Sequence, residues 1–109
     1  DAMQRYAEMN DYLGFGGNTK EEKVENLIKG INELNRRIGI PASIKEWGVP
    51  EKDFLEAVDE MSLDAFDDQC TPANPRYPLM EELREIYLKS YYGKEWENEK
   101  ERVAQILGF

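Results

Sequence analysis

A chain that shuttles protons or holds a transition metal near neutral pH usually does so with histidine, and this one has none. One thiol, Cys70, stands against twenty-three aspartates and glutamates. An iron or zinc centre built here would use carboxylates and a single sulfur, an unusual donor set. Cys70 also has no imidazole to activate it as a nucleophile, and by its chemistry alone it reads as a small buried hydrophobe at a helix end. Asp67 and Asp68 are adjacent, so on a helix their side chains diverge by about 100° and rarely share an ion. They read as capping or salt-bridging groups, one of them within reach of Arg76. Gly16 and Gly17 lack the preceding strand and the glycine spacing of a dinucleotide loop, and mark a turn. Tyr87, Tyr91, Tyr92 and Trp96 resemble a base-stacking set, but the surrounding acids repel phosphates. Helix packing, or burial against a neighbouring domain, explains them better. No catalytic residue and no metal ligand is assigned on this basis.

The formal charge of -9 makes nucleic acid and anionic membranes poor partners. Apolar runs are only a few residues long and the opening residues are polar, so neither a transmembrane span nor a signal peptide is expected. A lone cysteine forms no internal disulfide, which suits a reducing cytoplasm. With 109 residues, 40% hydrophobic and 34% charged, the expectation is one folded all-helical domain over residues 1–109, its last stretch, 94–109, a helical tail.

The elements that must position these residues all carry helical spacing. Ala2, Tyr6, Met9 and Leu13 step along one face before Gly14 stops the helix, and Phe15 to Asn18 turn the chain. Thr19 and Glu22 form a capping box that opens a long helix, striped by Val24, Leu27, Ile28, Ile31, Leu34 and Ile38 and closed by Gly39 and Pro41. Ser43 and Glu46 repeat the capping pattern with room for a single turn before Gly48 and Pro50. Pro50 begins a helix bearing Phe54, Leu55, Val58 and Met61, after which Ser62 caps a short helix with Ala65 and Phe66. Three prolines between Cys70 and Pro78 dictate an ordered loop or extended strap. Leu79, Leu83, Ile86, Tyr87 and Ser90 then form the face of a strong helix ending at Gly93, and Phe66 and Leu79 belong to faces that must be buried. The tail keeps Trp96, Val103 and Leu107 in helical register, a helix that docks or frays. Five to seven helices and no sheet are predicted.

The run from Asp64 to Pro78, Asp-Ala-Phe-Asp-Asp-Gln-Cys-Thr-Pro-Ala-Asn-Pro-Arg-Tyr-Pro, resembles the C-terminal part of the iron-dependent alcohol dehydrogenases, above all those of bifunctional aldehyde/alcohol dehydrogenases. Gly39 to Gly48 is similar to that family's elbow after the long helix, and Arg5 to Glu8 to the first helix of the region. The likeness covers roughly Arg5 to Lys94. Pro72 departs from it, standing where close relatives more often carry glycine and stiffening the loop. The resemblance implies an enzyme in which a Rossmann-like domain binds NAD and a helical domain holds iron through one aspartate and three histidines, all upstream of the matched region. It implies that the loop from Cys70 lines the substrate and nicotinamide side of the cleft, with Cys70 pocket-lining.

On that reading the chain is scaffold and cleft wall of an NAD- and iron-dependent alcohol dehydrogenase that reduces acetaldehyde-like aldehydes. Alone it is expected to be inactive and to hold neither iron, zinc nor NAD, its partner being the missing N-terminal part of the same enzyme. The competing reading is a stand-alone helical interaction module whose exposed aromatic face binds a partner or self-associates.

Overall fold

Glycines and capping side chains divide the chain as their chemistry demands. The computed structural model describes residues 2–109, with six α-helices and no strand among the described residues. The chain forms two compact units, one up to Pro41 and one from Ala42 to Phe109. No described helix is long and apolar enough to cross a membrane.

In the first unit, α1 (Ala2–Leu13) and α2 (Lys20–Arg37) form a helical hairpin. Gly14 adopts φ +77 and ends α1, and the expected box opens α2: Glu22 N–H donates to Thr19 Oγ1 at 3.1 Å while Thr19 N–H donates to the Glu22 carboxylate at 3.2 Å. The Gly16 carbonyl accepts from Asn10 Nδ2 at 2.7 Å and from Asn26 Nδ2 at 2.9 Å, which ties the turn to both helices. Phe15 lies across Gly30, where a Cβ would meet its ring at 2.5 Å, so the hydrogen side chain of Gly30 makes room for the aromatic. Ala7, Asn10 and Leu27 are buried. The rest of the α2 stripe is not: Ile28, Ile31, Leu34 and Ile38 are between 49 and 62% exposed. Helical periodicity identified the apolar face, but a face needs a covering element, and a two-helix hairpin covers only part of it.

The second unit begins with α3 (Ile44–Trp47), a single turn capped by Ser43 Oγ and ended by Gly48 at φ +112. Next comes α4 (Glu51–Asp67), with Pro50 as the residue just before the helix rather than its first member. Ser62 does not start a new helix. It is buried mid-helix and its hydroxyl donates to the Val58 carbonyl one turn back at 2.6 Å, a local partner that removes any need to break the helix. Then α5 (Met80–Tyr92) leads through a 3-10 turn at Gly93–Glu95 into α6 (Trp96–Leu107).

The core joins Phe54, Leu55 and Val58 of α4, Leu88, Tyr91 and Tyr92 of α5, and Trp96 and Val103 of α6. Rings stack in sequence, Phe54 on Tyr91 at 4.5 Å and Tyr92 on Trp96 at 5.7 Å. The tyrosine hydroxyls keep polar partners, Tyr91 donating to the Val49 carbonyl at 2.7 Å and Tyr92 to the Glu51 carboxylate at 2.9 Å. The expected α5 face is displaced: Leu79 and Ile86 are exposed, and the buried face runs through Leu88, Tyr91 and Tyr92 because the aromatic pair offers more area to bury. The tail docks, with Trp96 and Val103 buried and Leu107 partly so.

Candidate functional site

The segment between α4 and α5 is short of regular structure but dense in hydrogen bonds. Asp68 ends α4, and its Oδ1 accepts from Cys70 N–H at 2.7 Å, closing an Asx turn. The Thr71 hydroxyl reaches back to the Ala65 carbonyl, tying the loop to the last turn of α4. A 3-10 turn, Thr71–Ala73, follows, its Ala73 N–H donating to the Cys70 carbonyl at 3.0 Å and Asn74 N–H to the Thr71 carbonyl at 3.1 Å. Asn74 Nδ2 donates to the Arg76 carbonyl, so its side chain holds the loop backbone as its type and position before Pro75 predict.

The far end is anchored by Glu82, which sits three residues beyond Leu79 on the first turn of α5. One carboxylate oxygen accepts Leu79 N–H at 2.8 Å and the other takes Arg76 Nη2 at 2.5 Å. The Leu79 amide first, and then Arg76, hold the Glu82 carboxyl below the usual carboxylate range. This corrects the expected pairing of Arg76 with Asp67 or Asp68. Asp68 is committed to the Cys70 amide, and Glu82 faces Arg76 across the loop. The tie was legible only as a glutamate at the third helical position, half of a capping box. Phe66 and Tyr77 meet edge-on at 6.0 Å and bridge the two arms. Phe66 is partly buried, whereas Leu79 is exposed, contrary to expectation.

Cys70 lies at the head of the 3-10 turn and is exposed. Within this chain it is therefore not the buried hydrophobe its chemistry alone suggested. Among the described residues no three histidine, cysteine, aspartate or glutamate side chains stand close enough to hold a metal ion. With no histidine in the chain, the donor set present does not fit an iron site. Gly16 and Gly17, at φ +81 and +120, form a turn between two helices, with no strand before them among the described residues as a dinucleotide loop requires.

Comparison with known proteins identifies the family. The sequence profile described as "Fe-containing alcohol dehydrogenase family, C-terminal" matches residues 1–91, a span that takes in the whole loop. Over 97 residues the chain is 52% identical to the bifunctional aldehyde-alcohol dehydrogenase AdhE of Escherichia coli, covering 87% of this chain and 11% of that protein. It is 51% identical over 87 residues to an aldehyde-alcohol dehydrogenase of Clostridium acetobutylicum, 80% of this chain and 10% of the relative. It is also 39% identical over 94 residues to an NADPH-dependent butanol dehydrogenase of Clostridium saccharobutylicum, 86% of this chain and 24% of the relative. The chain thus spans about a tenth of the aldehyde-alcohol dehydrogenases it matches and about a quarter of the butanol dehydrogenase. By the profile across residues 1–91 and by the helical architecture around the proline loop, this chain belongs to the Fe-containing alcohol dehydrogenase family and corresponds to its C-terminal helical part.

Proposed function

We propose that this chain forms scaffold and one wall of the catalytic cleft in an NAD- and iron-dependent alcohol dehydrogenase that reduces acetaldehyde-like aldehydes to alcohols. The carrying observation is that the family match spans Asp64–Pro78, the end of α4 and the loop after it, a loop tied to α4 and α5 by Thr71 and Glu82. A loop held this way presents its side chains at fixed positions, which is what a cleft wall contributes to catalysis. Cys70 is the residue proposed to face substrate and nicotinamide. A thiol there offers a small, polarisable surface against an aldehyde and a flat ring, and takes no proton or electron in the reaction. Iron and NAD fall to polypeptide outside these residues, because the donor set here does not suit a metal. No chemical step is therefore assigned to this chain.

The test is a chimera in which residues 2–91 replace their counterpart in the Escherichia coli relative. The expected result is retained acetaldehyde reduction with NADH, while the 109-residue chain with added ferrous iron shows none. A folded chimera without activity, or turnover by the chain alone, overturns the reading.

A second reading, a helical module that binds a partner or a second copy, draws on one observation, the exposed α2 stripe of Ile28, Ile31, Leu34 and Ile38. In the first reading the rest of the enzyme covers that stripe. Ile31→Glu placed in the chimera separates the two: an intact, active chimera, with concentration-dependent association of the isolated chain abolished in light scattering, favours the module, and a chimera that no longer folds favours the first reading.

A further inference from the structure

A cavity of about 520 Å³ opens between α5 and α6, a volume within the range of small-molecule sites. Its second wall belongs to α6, beyond residue 91 where the profile match ends. Leu88, Trp96, Ala104 and Phe109 give it an apolar and aromatic lining, with Glu81 on one side and Glu101 on the other.

The charges around it are unequally satisfied. Arg84 pairs with Asp59 at 3.3 Å and lies 4.0 Å over the Phe109 ring, and Lys100 pairs with Glu97 at 3.2 Å. Glu85 is matched by Lys89 at 3.3 Å. Among the described residues Glu81 and Glu101 have no ion-pair partner. The unmet charge of the cavity is therefore negative.

We propose that this cavity binds a small organic ammonium ion, an amine carrying a hydrophobic body. The apolar body fills the space between Leu88, Trp96 and Ala104, and the ammonium group meets Glu81 and Glu101. Glu81 and Glu101 are exposed at the rim of the cavity, and a neutral ligand of the same shape gains nothing from their charge. An anion meets two unpaired acids and cations already engaged. The chain's charge of -9 draws a cation in.

The experiment uses the full chain with Trp47→Phe, which removes an exposed indole and leaves Trp96 as the fluorophore. The probes are 4-phenylbutylamine, 4-phenylbutanol and 4-phenylbutyrate. The expected result is a saturable change in Trp96 emission with the amine, at least about tenfold weaker binding of the alcohol, and none of the carboxylate. Glu81→Gln with Glu101→Gln, both surface changes checked for folding by circular dichroism, should weaken the amine about tenfold and leave the alcohol unchanged. Equal binding of amine and alcohol, an amine affinity that ignores the double substitution, or no saturation by the amine at low-millimolar concentration overturns the proposal. None of these outcomes touches the cleft-wall reading, which is tested by the activity of the chimera.

Discussion

Glu82 holds the start of α5 and the end of the proline loop at once, because one carboxylate serves both the Leu79 amide and Arg76. Its carboxyl is held below the usual carboxylate range, so the tie is complete above the ordinary glutamate value and is lost as pH falls through the lowered one. The protection of the Leu79 amide, its exchange rate relative to the intrinsic rate at the same pH, should therefore fall on acidification below the carboxylate range, and Glu82→Ala should show the lower protection already at neutral pH; protection that ignores both changes contradicts the role. Leu88, almost fully buried among Trp96, Tyr91 and Val58, is a packing residue. Leu88→Ala should cost about 2–5 kcal/mol in denaturant unfolding, a large share of the roughly 5–15 kcal/mol typical of a domain. Gly93 turns the chain at φ +60 and ψ -130, where only glycine is at ease, and an added Cβ would stand 3.2 Å from Ser43. Gly93→Ala should destabilise by about 1–3 kcal/mol, read from the same unfolding curves.

At the scale of elements, α6 is anchored to the start of α4 by one carboxylate. Glu51 takes Arg102 through two contacts, 3.0 and 2.6 Å, and also accepts the Tyr92 hydroxyl. Arg102 first, and the Tyr92 hydroxyl with it, hold Glu51 below its ordinary range. This contribution too is present above the ordinary carboxylate value and fades as pH drops through the lowered one. In a Trp47→Phe background, Trp96 emission should shift to the red in acid, and Glu51→Ala should show part of that shift at neutral pH. A pH-independent spectrum would mean that apolar burial alone seats α6. Helix starts and stops were legible in the sequence because capping is local: Thr19 with Glu22, Ser43 with Glu46, and the glycines after α1, α2, α3 and α5. Which face is buried was less legible. The stripes of α2 and α5 were periodic, but their covering elements are not encoded nearby, so Ile28, Ile31, Leu79 and Ile86 came out exposed. Ser62 misled because a serine that caps and one that bonds to its own helix look alike in sequence.

For the whole molecule, the resemblance around Asp64–Pro78 identified the family that the profile across residues 1–91 shows, yet the loop's own chemistry could not reveal that Cys70 is exposed. The ties that set the loop path, Thr71 to Ala65 and Glu82 to Arg76, cross residues six apart through side chains, beyond what turn propensities encode. The central claim is that this loop is a cleft wall with Cys70 on its inner surface. The most direct measurement is the rate of thiol labelling at Cys70, mapped by peptide mass spectrometry, in the isolated chain and in the active chimera with and without saturating NADH. Rapid labelling in the isolated chain and marked protection in the NADH-bound chimera are expected. Equal labelling rates in all three samples would place Cys70 away from the cleft and contradict that claim.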